Sequence, residues 1–141
     1  MVSAIRRASL TDAKEVARLL TELGHATTDS DLQQRWPAWA AAGNEALVAT
    51  AEDRLLGLVT LHVTHVLHRP TPVGRITALI VDATARGQGI GRQLVAEAER
   101  NLSARGCALI EVTSHERLVD AHAFYGHLGY DRASLRFAKS L

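Results

Sequence analysis

A single cysteine, Cys107, leaves the 141-residue chain no intramolecular disulfide, which fits a reducing compartment. Aromatic residues make up 4% of the sequence, too few for a platform on which nucleic-acid bases stack. No charge of one sign dominates. The formal net charge is +1, so nothing points to nucleic acid or a membrane surface as partner. No apolar run reaches membrane-spanning length, and Met1 to Arg7 hold no signal-peptide core; a cytoplasmic location is expected. Internal repeats and low-complexity tracts are also missing. What remains is 47% hydrophobic and 22% charged, an ordinary globular make-up. The length suits one domain over residues 1–141 with a sizeable core.

The most informative stretch runs from Arg75 to Arg105. Ile76, Ala78, Leu79, Ile80 and Val81 are apolar on both alternating faces, as in a central strand covered on both sides. Arg86-Gly87-Gln88-Gly89-Ile90-Gly91 follows. Ile90, Leu94, Val95, Ala98 and Leu102 then recur at helical spacing, and Gly106 stands where a helix ends. A strand that enters a glycine-rich turn at a helix start is an anion site. The first-turn N–H groups have no intrahelical partner, and the dipole adds positive charge there. Arg86 and Arg92 flank the turn and can pair with phosphate oxygens.

The turn lacks the Gly-Lys-Ser/Thr of a Walker loop and the third glycine of the dinucleotide fingerprint. Its pattern, Arg86-x-x-Gly89-x-Gly91, resembles the coenzyme A pyrophosphate loop of the GNAT superfamily of N-acetyltransferases. A second stretch, Ala121-x-x-Phe124-Tyr125-x-x-x-Gly129-Tyr130, resembles another signature of the same family.

The rest of the chain fits that order. Val2 to Ala8 read as a strand with Ile5 inward. Asp12 with Glu15 resembles a capping box, opening a helix that carries Val16, Leu19, Leu20 and Leu23 and stops at Gly24. Asp29 or Ser30 starts a second helical piece bearing Leu32, Trp36 and Trp39. Pro37 is expected to break or restart it. The two tryptophans read best as anchors for that helix, with one wall of an acceptor pocket as the other reading. Glu45–Ala51 and Arg54–Leu67 read as strands, with Asp53-Arg54 and Glu52 as a hairpin turn that lacks the usual glycine. His62, His65 and His68 lie along the second. His62 and His65 alternate faces, and His62 and His68 are far apart, so no metal site is expected. That long strand runs past the sheet edge or into a subunit contact, which leaves room for a homodimer. Cys107–Thr113 read as a strand, Val119–Leu128 as a helix, and Tyr130–Ala138 as a terminal strand or hairpin with Leu135 and Phe137 on one face.

The resemblance implies an α/β (α+β) GNAT fold. Its sheet is mixed, mostly antiparallel and of about six or seven strands, with helices on both faces. The strand ending at Val81 and the one at Cys107–Thr113 splay apart. It implies transfer of the acetyl group of acetyl-CoA to a primary amine of a small molecule or peptide, by direct attack in a ternary complex. Leu79, Ile80 and Val81 would meet the pantetheine arm and thioester. Arg86, Gly87, Gln88, Gly89, Ile90, Gly91 and Arg92 would hold the pyrophosphate, and Phe124 would line the cofactor. Tyr125 would be the general acid. Two departures stand out. Where family members often carry an acid, this chain reads Arg75-Ile76-Thr77, and Leu118 replaces an asparagine. Glu111 is then the candidate base, with direct loss of the proton to solvent as the alternative and His122 and His115 as second choices. A CoA-binding sensor without catalysis is the competing reading.

Overall fold

The computed structural model describes residues 2, 4–114 and 118–141. Five strands form one sheet in chain order: β1 (Ala4–Arg7), β2 (Glu45–Ala51), β3 (Arg54–Thr64), β4 (Val73–Val81) and β5 (Leu109–Val112). The first four are antiparallel neighbours, and β5 joins β4 in parallel. Among the described residues four α-helices flank the sheet: α1 (Ala13–Leu23), α2 (Asp29–Ala41), α3 (Ile90–Ala104) and α4 (Val119–His127).

Strand alternation splits the core into two layers. Leu47, Ala49, Val59, Leu61 and Ile76 meet Ile90, Leu94, Val95, Ala98 and Leu102 of α3. Ala46, Val48, Leu58 and Ile80 meet Val16, Ala17 and Leu19 of α1 and Leu32 of α2. The α3 contact is close because of two strand glycines. A Cβ on Gly57 would lie 2.8 Å from Leu94 Cδ1, and one on Gly74 would lie 2.9 Å from Leu102 Cδ1. Leu94 is fully buried, so truncating it to alanine costs about 2–5 kcal/mol.

The strand–turn–helix of residues 76–105, the α1 stripe ending at left-handed Gly24 (φ 115°) and the β2–β3 hairpin all form as expected. The hairpin turns without glycine because Glu52 takes φ 56°. Several expectations need correction. The capping pair ahead of α1 is Ser9 with Asp12, whose carboxylate accepts the Ser9 N–H at 2.9 Å; Glu15 turns to Arg18 and the Leu55 N–H instead. The α2 helix runs unbroken through Pro37. The lost bond costs about 3 kcal/mol, but the turn before Pro37 faces solvent, and Leu32, Trp36 and Trp39 pin the helix to the core. The long strand stops at Thr64, short of Leu67. Among the described residues the sheet has five strands, one or two fewer than expected, and no strand forms over Tyr130–Ala138. A strand exists only against a partner edge, and residues 131–141 are all exposed.

Two features position the site. The β4–β5 pairing covers only Val73–Ile76 against Leu109–Val112. From Thr77 to Val81 the β5 side of β4 has no strand partner among the described residues. A bulge also puts Thr77 as an extra residue on β4, between Ile76 opposite Leu61 and Ala78 opposite Thr60.

Candidate active site

The C-terminal end of β4 runs into Asp82, a 3₁₀ turn at Ala83–Ala85, and the glycine loop that starts α3. Gly89 takes φ 79° at the N-cap of α3, a conformation that costs other residues about 1–2 kcal/mol. A Cβ there would meet nothing within 4 Å, so the space over the loop is open. The first turn of α3 has neither an acidic residue nor a side-chain cap. Its orphan N–H groups and positive dipole end are therefore offered outward. A cavity of about 380 Å³ lies beside them, lined by Val2, Gln88, Ile90 and Gln93. These features fit the pyrophosphate of a nucleotide-type donor. Gly91 serves a different end: a Cβ on it would sit 3.3 Å from the Phe124 ring, so its absence lets α4 close on the start of α3.

The loop is held from behind by a buried hub that sequence reading missed. Asp82 is 1% exposed. Its Oδ1 accepts the Thr84 hydroxyl at 2.6 Å and the Thr84 N–H at 2.9 Å. Its Oδ2 accepts Arg18 Nη1 at 2.6 Å and Arg54 Nη2 at 2.7 Å. The Thr84 hydroxyl first, and then the other donors, hold the carboxyl far below the usual carboxylate range against the opposing effect of burial. Arg18 also donates to Glu15 and to the Leu55 carbonyl, so one guanidinium ties α1, the start of β3 and the turn after β4. Glu22 of α1 completes the support, accepting the Ala83 N–H at 2.6 Å. Arg86 lies beside the loop, 3.8 Å from Glu22 and donating to the Val81 carbonyl at 3.3 Å; Arg92 is exposed in the first turn of α3. The one local signal for the hub was Asp82-x-Thr84, an Asx-type turn.

On the α3 side of β4, Leu79 and Val81 are partly buried with Ile110, Val112 and Phe124. Ile80 points the other way, into the layer under α1, so only its main chain faces the gap in the sheet. Tyr125 is half-buried, stacked edge-on between Phe124 (5.3 Å) and Tyr130 (6.0 Å). Burial pushes its phenol up to about 12. Tyr130 is fixed by its hydroxyl, which donates to Glu99 at 2.8 Å. His122 stands one turn before Tyr125 on α4, and His115 lies outside the described residues.

On the opposite face a polar strip continues beyond α1 and α2. Thr60, His62 and Thr64 alternate onto the face that carries Leu58. His62 is directly across from Arg75, and Arg75 across from Glu111. Arg75 Nη2 lies 3.3 Å from Glu111 Oε1, so Glu111 is ion-paired rather than isolated in an apolar strand. Thr77 shares a 2.7 Å hydroxyl contact with Thr60. His62 Nδ1 is 3.1 Å from the Thr64 hydroxyl; His65 and His68 are exposed further along the chain. Trp36 and Trp39 pack edge-to-face at 5.0 Å against the core, which is the anchoring role expected of them.

The profile of the Acetyltransferase (GNAT) family matches residues 11–130. The chain is 33% identical to an aminoalkylphosphonate N-acetyltransferase of Salmonella typhimurium, over 99% of this chain and 92% of that one. It is 29% identical to a glucosamine 6-phosphate N-acetyltransferase of Oryza sativa subsp. japonica, over 73% of this chain and 64% of that one. Among solved structures, a Trypanosoma brucei acetyltransferase superposes with a TM-score of 0.86 at 23% identity, covering 98% of this chain and 99% of that one.

Proposed function

The chain belongs to the GNAT acetyltransferase family, and we propose that its acceptor is a small primary amine that also carries a phosphonate or phosphate group. It is an acetyl-CoA-dependent N-acyltransferase of the GNAT fold. The acceptor class rests above all on one observation: Arg75 lies across from His62 on the open face of the sheet, on a strip that also holds the Thr60–Thr77 and His62–Thr64 contacts. A guanidinium on a strip that also carries hydroxyls suits a tetrahedral oxyanion. The relatives supply independent support, since the named acceptors of both, an aminoalkylphosphonate and glucosamine 6-phosphate, combine an amine with an anionic phosphorus group.

In this reading the two substrates are bound together and meet across the gap beside β4. Acetyl-CoA supplies an activated acetyl group as a thioester, held by the glycine loop and by main-chain groups of Leu79–Val81. Holding both partners in place replaces a bimolecular encounter with an oriented one. A β4 N–H stabilises the oxyanion. Tyr125, protonated at neutral pH, gives its proton to the departing thiolate. An alkylammonium has a pKa near ~10.4, so the acceptor must lose a proton before it attacks. Solvent takes that proton in the reading we favour, and Glu111, bound to Arg75, orients the guanidinium. Direct proton transfer to Glu111 is the competing route.

CoA release measured over a panel tests this: an aminoalkylphosphonate, the alkylamine of equal length without phosphonate, and a polyamine. The phosphonate is expected to give the highest kcat/KM. Arg75→Met should lower it by roughly 10- to 100-fold for the phosphonate while sparing the plain alkylamine, as loss of one charge-assisted contact predicts. Equal kcat/KM for phosphonate and alkylamine would remove the proposed acceptor class and leave the family membership standing.

A further inference from the structure

Two buried side-chain atoms have no hydrogen-bond partner among the described residues, Asn101 Oδ1 and Ser114 Oγ. Asn101 is half provided for, since its Nδ2 donates to Glu45 at 2.9 Å. The Ser114 hydroxyl can both donate and accept, and it does neither there. A buried polar group without a partner is costly, so such groups are rare and each calls for a reason. A part in catalysis is one such reason.

The place of Ser114 in the fold points to that reason. The β4–β5 ladder ends with the pair Ile76–Val112. Ser114 follows on the β5 side, just beyond the last paired residue. Ile110 and Val112 belong to the apolar cluster that also takes in Leu79, Val81 and Phe124, and Ser114 is next in that alternation. The glycine loop lies at the other, open end of the gap, past Val81. A pantetheine arm anchored there by its pyrophosphate, and laid along Val81 and Leu79, carries its thioester toward the closed end, where Ser114 stands. The carbonyl oxygen of that thioester is turned to an N–H of β4. Ser114 comes from the facing wall, so the atom left for its hydroxyl is the sulfur.

We propose that Ser114 is a catalytic residue whose hydroxyl donates a hydrogen bond to the coenzyme A sulfur as the thiolate leaves. A thioester sulfur is a weak acceptor and a thiolate a strong one. The bond therefore gains strength only as the C–S bond breaks, and it acts on kcat. The neutral acceptor nitrogen bonds to the acetyl carbon, the C–S bond breaks with its electron pair on sulfur, and Tyr125 passes its proton to that sulfur. The nitrogen gives up its extra proton to solvent, and solvent reprotonates Tyr125. Ser114 keeps its own proton throughout. The inference rests on the donor placement in the proposed reading and is independent of the acceptor class.

Ser114→Ala removes the hydroxyl and nothing else. Acetyl-CoA affinity by calorimetry should stay as in the wild type. With any accepted amine, kcat should fall roughly 10- to 100-fold, as for loss of one hydrogen bond to a charged group. Free CoA bound to each protein gives a readout apart from turnover. Followed by the ultraviolet absorbance of its thiolate, the bound thiol should titrate roughly one to two pH units higher in the variant. The variant should melt no lower than the wild type, because the hydroxyl has no partner among the described residues to lose. Wild-type kcat, an unmoved thiol titration, a lower melting temperature, or an acetyl group found on Ser114 by mass spectrometry would each overturn the proposal. Failure of the donor placement itself would show separately, as acetyl-CoA affinity retained in Gly89→Glu.

Discussion

Replacing Asp82 with asparagine probes how far the glycine loop depends on the carboxylate behind it. The side chain keeps its size, loses its charge and turns an N–H₂ toward at least one of the groups that donate to it. Thr84 uses two donors, and Arg18 and Arg54 use one each. Breaking a fully buried ion pair from one side costs about 3–5 kcal/mol. Here the carboxylate is buried, but the Arg18 and Arg54 side chains are 34% and 49% exposed, so water recovers part of the loss. That brings the expected cost to about 2–3 kcal/mol. For a chain of this length it corresponds to a fall in Tm of roughly 6–12 °C. The loss should depend on pH with a definite sign. The folded-state pKa of Asp82 is depressed, so its stabilisation is fully present above the unfolded value near ~3.9 and disappears as pH falls below it. Thermal melts at neutral pH and in the acid range should therefore show a wide gap between wild type and variant that narrows below about pH 4. The KM for acetyl-CoA should rise as the loop loosens. A variant that melts with the wild type at neutral pH would refute the reasoning.

Further tests address the donor loop and the proton transfers. Gly89→Glu should abolish acetyl-CoA binding by calorimetry. The fold should survive, since a Cβ there meets no neighbour, at a strain of about 1–2 kcal/mol for φ 79°; retained affinity would sink the phosphate assignment. Tyr125→Phe keeps the ring packing and should lower kcat by roughly ten- to a thousandfold with little change in acetyl-CoA affinity. Unchanged turnover would reduce Tyr125 to a packing residue. For the acceptor proton, kcat/KM followed against pH in the wild type and in Glu111→Gln discriminates the two routes. Profiles of the same shape, climbing toward the pKa of the amine, are expected if solvent is the sink, and an acidic limb present only in the wild type would make Glu111 the base.

What the sequence announced and what it concealed differ by range. The run from Ile76 to Leu102 carries its pattern locally: an apolar strand, a turn that needs glycine, then a helical stripe. The same holds for α1, which ends where Gly24 reverses the chain. The Asp82 hub had no such signature, because its arginines lie 64 and 28 positions away. Pro37 misled because a rule about isolated helices was outweighed by the anchoring of Leu32, Trp36 and Trp39. Leu135 and Phe137 have the alternation of a strand, but alternation specifies a face and supplies no edge to pair with. Glu111 looked like an acid stranded among apolar neighbours; its partner, Arg75, comes from the adjacent strand through the parallel register.

The early end of the β4–β5 ladder has a bearing on how this protein can diverge. Past Ile76, what β4 offers toward the gap is main chain, which is chemically the same whichever residue occupies the position, proline excepted. The polar strip on the other face is written entirely in side chains: Arg75, His62, Thr60 and Thr77. Point mutation can therefore rewrite one side of the cleft letter by letter, while the other side stays the same under all but the rarest exchanges. In the proposed reading, a lineage built this way can try new acceptors without relearning how to hold its donor.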